Sequence, residues 1–153
     1  MSELSANELA ALARLNDLRA QAAAGAEVDE LEAQFARAYA ANHRLAVYGT
    51  LAPGQPNHHH LSDLAGDWIG GGAVTGTLEA LGWGADMGFP ALRWSPDGAE
   101  VAVQLFVSKE LPAHWPRLDE FEGEQYLRML VPVCFADGRV EVANLYAAHP
   151  AAG

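Results

Sequence analysis

Two turn signals constrain this chain more than anything else in it. Ser95-Pro96-Asp97-Gly98 and Ala136-Asp137-Gly138-Arg139 each set an Asp-Gly pair between runs of alternating apolar residues. An Asp-Gly pair takes the tight backbone of a hairpin turn, and apolar alternation is the period of a half-buried strand. Segments 89–94 and 100–107 are therefore expected to form one hairpin, and 126–135 and 140–146 a second. In 100–107, Val101, Val103, Leu105 and Val107 share one face, with Ala102, Gln104 and Phe106 on the other. Segments 45–48, 67–71 and 73–81 add further strands, the last with Val74, Gly76 and Leu78 alternating against Thr75, Thr77 and Glu79. Roughly six or seven antiparallel strands punctuated by glycine can close into a small barrel. Segment 111–121 reads as a helix with Pro112 in its first turn, and Pro116 either kinks it or marks its start. Segment 58–64 reads as a short helix with Asn57 as its N-cap. The class is α+β: a small, mostly antiparallel β-barrel with short flanking helices.

Residues 1–42 have a different character, rich in Ala, Leu, Glu and Arg and free of proline. Ser5 and Glu8 match a capping box. Leu9, Leu12, Ala13 and Ala20 lay an apolar stripe along the helix that follows, widened by Leu15 and Leu18, until Gly25 breaks the run. Val28, Leu31, Phe35 and Tyr39 mark one face of a second helix, ending near Asn42 or His43. Two amphipathic helices joined by a short turn form a helical hairpin. Such a hairpin must bury its stripes on the following domain or in a homodimer. The expected division is a hairpin over 1–42 and a barrel domain over 43–153.

A net charge of −11 argues against nucleic acid and anionic membrane surfaces as partners. Cys134, the only cysteine, excludes CxxC motifs and reads as a packed thiol in a strand beside Val131, Val133 and Phe135. The His58–His60 run points its rings in different directions and has no acidic or thiol partner at ligand spacing, so it reads as a solvated face with one packed ring, not a metal site. The loop over 82–88, with Trp83, Asp86 and Met87, lacks the GxGxxG order of a dinucleotide site and reads as a flexible loop near the pocket. Neither a basic leader nor an apolar stretch of spanning length occurs, so a soluble cytoplasmic protein is expected.

Two stretches carry chemistry. Val47–His58, reading VYGTLAPGQPNH, leaves a buried strand at Gly49 and enters a loop with two glycines, two prolines and an asparagine. The N–H groups of Gly49, Thr50 and Leu51 emerge where the ladder stops, and N–H groups gathered at a bend favour an anionic group such as a carboxylate. Gly49 lets a ligand approach the backbone closely. An ordinary loop after a strand is the alternative. The second stretch, Leu118-Asp119-Glu120-Phe121-Glu122-Gly123, sets three carboxylates at a helix C-terminus, where the dipole opposes them. Opposition to the charged form raises a carboxyl pKa toward that of a proton shuttle. Leu111, Trp115, Leu118 and Phe121 define the buried face. Glu122 lies at its edge, with Asp119 and Glu120 further toward solvent. Glu122 is therefore the candidate, against the alternative of a solvated helix end.

With VYGTLAPGQPNH near the start of a strand-rich domain, and LDEFEG and Tyr126-x-Arg128 near its end, the chain resembles the gamma-glutamylcyclotransferase-like family. It is most similar to the branch that includes gamma-glutamylamine cyclotransferase. The resemblance covers Leu45 to about Ala147 and leaves the N-terminal hairpin unexplained. It implies a compact barrel in which Tyr48, Gly49, Thr50 and Leu51 hold a γ-glutamyl group through backbone amides. It also implies that Glu122 shuttles the proton and that Tyr126 lines the pocket. The implied reaction turns a γ-glutamyl amine or amino acid into 5-oxoproline and a free amine. The nucleophile is the substrate's own α-amine, so no protein nucleophile, metal or cofactor is required. Gln104 stands where relatives often carry an acid, and Ala52-Pro53 where Lys or Arg is common; both bear on which amine leaves. Two further readings are a non-catalytic member of the same fold that binds a metabolite or protein, and a hydrolase that attacks the γ-linkage with water.

Overall fold

The computed structural model describes residues 4–80 and 90–151. In order these form α1 (Ala6–Ala20), α2 (Ala26–Tyr39), a 3-10 turn (Ala41–His43), β1 (Arg44–Val47), α3 (His59–Ser62), β2 (Asp67–Glu79), β3 (Ala91–Trp94), β4 (Ala99–Val107), α4 (Leu111–Glu122), β5 (Tyr126–Phe135) and β6 (Val140–Ala148). The sheet runs β3-β2-β4-β1-β6-β5, and β2 pairs again with β5. Five strands thus close a barrel and β3 extends it on β2. Every pairing is antiparallel except that of β1 with β6, which is parallel.

Of the two expected hairpins only β5–β6, about Asp137–Gly138, is present. The Ser95–Gly98 turn forms, Gly98 N donating to Ser95 O, but β3 and β4 do not pair with each other. Strand β2 lies between them and pairs antiparallel with both, because the turn carries the chain across β2 at Gly76 instead of back along β3. The two strands read over 67–71 and 73–81 are one strand, β2, whose register with β4 slips between Ile69 and Gly72. Gly71, at positive φ, supplies that bulge, and past it β2 keeps β4 on one edge and takes β5 on the other at Gly72 and Ala73. Gly72 then meets β5 so closely that a Cβ there would lie 2.8 Å from Val133 Cγ1. The loop over 82–88 and Phe89 lie outside the described residues.

Alternation sorts the side chains into three packed groups. Val74, Leu92, Val103, Leu105, Val131, Val133, Ala143 and Leu145 fill the barrel, with Val101 and Val107 beside them. Leu45, Val47 and Phe106 point outward and pack under Leu111, Trp115 and Leu118 of α4. Pro116 is internal to α4, which begins at Leu111. Cys134 is exposed, contrary to the packed thiol expected. The period of two puts it on the opposite face from Val131, Val133 and Phe135.

The N-terminal hairpin packs on the barrel, with Leu12, Leu15 and Phe35 against Leu130 and Val142. The capping box forms as read, Ser5 Oγ accepting from Glu8 N and Glu8 Oε1 from Ser5 N. The buried face of α1 is shifted from the one expected: Leu12, Leu15, Asn16 and Leu18 face inward, while Leu9 and Ala13 are exposed. Asn16 accounts for the shift. Its amide donates to Leu130 O and accepts from Leu130 N, both at 2.9 Å, satisfying a strand edge as another strand would. Helix α2 stops at Tyr39, earlier than Asn42, because Ala40 takes the left-handed conformation. No described helix is long and apolar enough to cross a membrane.

Candidate active site

The parallel pairing of β1 with β6 brings the C-terminal ends of both strands to one rim of the barrel. Strand β5 runs against β6, so it begins at that rim. Only residues 123–125 separate it from the end of α4. Four chain segments therefore meet there for topological reasons. They enclose a pocket of about 430 Å³, counting the space at its open mouth, lined by Tyr48, Gly49, Thr50, Leu51, Pro90, Glu122, Tyr126 and Tyr146 over a floor of β1. All six candidate residues read from the sequence lie on its wall.

The strand-end loop is held by its carbonyls. Gly49 O accepts from Ala52 N at 3.1 Å and Thr50 O from Asn57 N at 2.9 Å. Leu51 O lies 2.9 Å from His58 Nδ1. Among the described residues no hydrogen bond uses the N–H groups of Gly49, Thr50 or Leu51. A Cβ on Gly49 would meet nothing within 4 Å, so the backbone there borders open space. Asn57 does not cap α3 through its side chain; the helix starts after His58 without a side-chain cap. Two histidine rings pack instead of one, His58 against Trp68 and His60 against Phe121.

Tyr48 is anchored at its hydroxyl, which donates to Tyr146 O and accepts from Leu92 N, both at 2.8 Å. Its contribution to the pocket is therefore its ring and backbone. Burial, first, holds the phenol far above its ordinary pKa.

Glu122 is buried, 8% exposed, whereas Asp119 and Glu120 are exposed. Its pKa is pushed up to about 8, first by burial and then by the negative charge of Asp119. The helix terminus invoked from the sequence is not the leading cause; removal from water is.

Sequence reasoning missed Tyr146 and the part played by Asp119. Tyr146 OH donates to Asp119 Oδ1 at 2.7 Å. Arg128 donates to the same carboxylate from Nε at 2.9 Å and Nη2 at 3.4 Å, and its guanidinium lies over the Trp115 ring. Counting register back from the Asp137-Gly138 turn finds Tyr146, because it pairs with Arg128 across β5–β6. No group of three or more His, Cys, Asp or Glu residues among those described is placed to hold a metal ion.

Chemically, this pocket offers a line of backbone donors and a buried carboxyl that can take or give a proton near neutral pH. A model of the family described as gamma-glutamyl cyclotransferase, AIG2-like, matches residues 45–153. The chain belongs to this family. Its structure is similar to that of an AIG2-like protein from Mus musculus, with a TM-score of 0.55 and 25% identity over 69% of this chain and 76% of the other. It is also similar to YkqA from Bacillus subtilis, with a TM-score of 0.53 and 25% identity over 72% of this chain but only 37% of that one. An Arabidopsis thaliana protein shares the fold, with a TM-score of 0.51 and 20% identity over 72% and 71% of the two chains. A sequence search of curated proteins returns no match. Family and fold together support a gamma-glutamyl cyclotransferase type of function.

Proposed function

We propose that the protein is a cyclotransferase that converts a γ-glutamyl amine or γ-glutamyl amino acid to 5-oxoproline and a free amine, nearest to the gamma-glutamylamine cyclotransferase branch. One observation carries this reading. Glu122, buried and with its pKa pushed up to about 8, shares a pocket with three backbone N–H groups that no described residue occupies. A binding module has no use for such a carboxyl, whereas a proton shuttle needs a pKa near the working pH.

In this reading the N–H groups of Gly49, Thr50 and Leu51 hold the γ-glutamyl group, and Tyr48 and Tyr126 wall it in. The folded substrate presents its α-amine to its own γ-carbonyl, so the protein contributes mainly proximity. The amine nitrogen attacks the carbonyl carbon and the ring C–N bond forms. Glu122 carboxylate takes the proton that nitrogen sheds. The tetrahedral intermediate then collapses, the bond to the leaving amine breaks, and Glu122 returns the proton to that amine. The shuttle is regenerated, and no water is consumed.

Glu122→Gln is expected to lower 5-oxoproline release at least ~100-fold, the usual scale for loss of an acid–base group, with folding intact by circular dichroism. Wild-type activity in that variant excludes the reading. Products from a panel of γ-glutamyl amines and amino acids, identified by mass spectrometry, separate this reaction from hydrolysis. Cyclisation yields 5-oxoproline and hydrolysis yields glutamate. Because the shuttle starts ionised, kcat/KM rises with pH through about 8.

A further inference from the structure

We infer that the N-terminal hairpin is a working part of the site, with Arg19 a positioning residue that holds Asp119 and the Tyr146 hydroxyl through Asn144 and Arg128. The connection is continuous. Arg19 is largely withdrawn from solvent, its side chain 11% exposed, and grips Glu32 of α2 through Nε at 2.9 Å and Nη2 at 2.7 Å. Its Nη1 reaches across to the barrel, donating to Arg128 O and Asn144 Oδ1, both at 2.8 Å. Asn144 is fixed in turn, donating from Nδ2 to Ala41 O at 2.8 Å. Its Oδ1 also receives Arg128 Nη1 at 2.9 Å. The rest of the Arg128 fork lies on Asp119, which also receives the Tyr146 hydroxyl. Tyr146 is pocket wall, and Asp119 is one helical turn from Glu122.

Docking of the hairpin does not need this chain of bonds. Leu12, Leu15 and Phe35 bury it, and Asn16 clamps it to Leu130. Arg14, the other arginine of α1, pairs with Glu27 at the surface and has no such reach. Arg19 gives up water to meet the barrel, and burial lowers its pKa first of all. A guanidinium kept buried at that cost has donors directed at every partner. The hairpin lies outside the family match at 45–153.

The charges give the connection a direction. Asp119 is faced by Arg19 from α1, Arg128 from β5, Tyr146 from β6 and Glu122 from its own helix. Glu122 is faced by Asp119 and, across the pocket, by Tyr48, Tyr126 and Tyr146. Loss of the Arg19 charge leaves Asp119 less compensated, so Glu122 holds its proton more tightly. Loss of the Asp119 charge has the opposite effect.

The inference rests on Glu122 as the proton shuttle only for its effect on turnover. The test uses the full chain and two readouts: the Glu122 carboxyl titration by carbon NMR, assigned with Glu122→Gln, and the pH profile of 5-oxoproline release. Arg19→Met should move the Glu122 midpoint up, Asp119→Asn should move it down, and Arg19→Lys and Arg14→Met should stay near wild type. In Arg19→Met, kcat should fall ~10–100-fold at neutral pH with a smaller change in KM, as misplacement from a distance does. Equal midpoints in folded Arg19→Met and Arg14→Met overturn the inference. If Arg19→Met does not fold, an unmoved midpoint in Asp119→Asn overturns it. Midpoints that move as stated in a protein forming no 5-oxoproline uphold the coupling and sink the proposed reaction instead.

Discussion

The hairpin helices and α4 treat charge in opposite ways. Helix α1 has Glu8 in its first turn and Arg19 in its last; α2 opens with Glu27 and Asp29 and closes with Arg37. Both follow the macrodipole, acid at the positive end and base at the negative. Helix α4 has no acid in its first turn, no base in its last, and ends on Asp119, Glu120 and Glu122. Arginines of the hairpin find carboxylates, Arg14 with Glu27, Arg19 with Glu32 and Arg37 with Glu30. At the end of α4, Asp119 is bonded by Arg128 and Tyr146, and Glu122, three residues on, is buried beside that charge. A helix end that violates the electrostatic rule while burying its acid costs stability, and a site that needs a high carboxyl pKa is where such a cost is kept.

This contrast can be broken from either side. If packing and not charge holds the hairpin, Phe35→Ala should cost about 3–5 kcal/mol of stability, measured by denaturant unfolding, because Phe35 is 1% exposed within the hairpin core. A loss under 1 kcal/mol would mean the ion pairs do the holding.

Next in size is the cost of Glu122. Its folded pKa of about 8 lies above its unfolded value of 4.5, so the folded state keeps a proton that the unfolded chain has lost. Stability therefore falls as pH rises from about 4.5 to about 8, by up to ~1.4 kcal/mol per pH unit. Glu122→Gln should flatten that slope and be the more stable protein at pH 8. Parallel stability curves for the two proteins over that range would show that the acid carries no such cost.

The smallest effect comes from making α4 obey the rule. Glu120→Arg puts a cation in its last turn at an exposed position, which should add about 0.3–1 kcal/mol. It should also draw the Glu122 midpoint down in the NMR titration. A midpoint that rises would contradict the direction assigned to the local charge.

Much of this was legible in the residues. The capping box at Ser5 and Glu8, the helix read over 111–121 and the β5–β6 hairpin at Asp137-Gly138 rest on contacts a few residues apart, so a short window contains the cause and the effect. The turn at Ser95–Gly98 was legible too, but not that β2 would lie between the strands on either side of it. Glu122 was legible as an acid against a helix end, although burial, not the terminus, is the larger reason for its pKa. Period-two alternation was misapplied at Cys134, whose apolar neighbours belong to the other face. The buried face of α1 was misread because Asn16, a polar residue, is turned inward by a strand edge more than a hundred positions away.

What the sequence determined by itself was local: where α1 and α4 begin, where β5 turns back into β6, and which residues carry backbone donors or a candidate acid. Tertiary structure alone decided that β1 lies parallel to β6 and that β2 closes on β5, which brings Tyr48, Glu122, Tyr126 and Tyr146 to one rim. It also decided that Arg19 meets Asn144 across 125 positions of chain. Such pairings leave no periodic trace, because each depends on how far the chain has already folded around it.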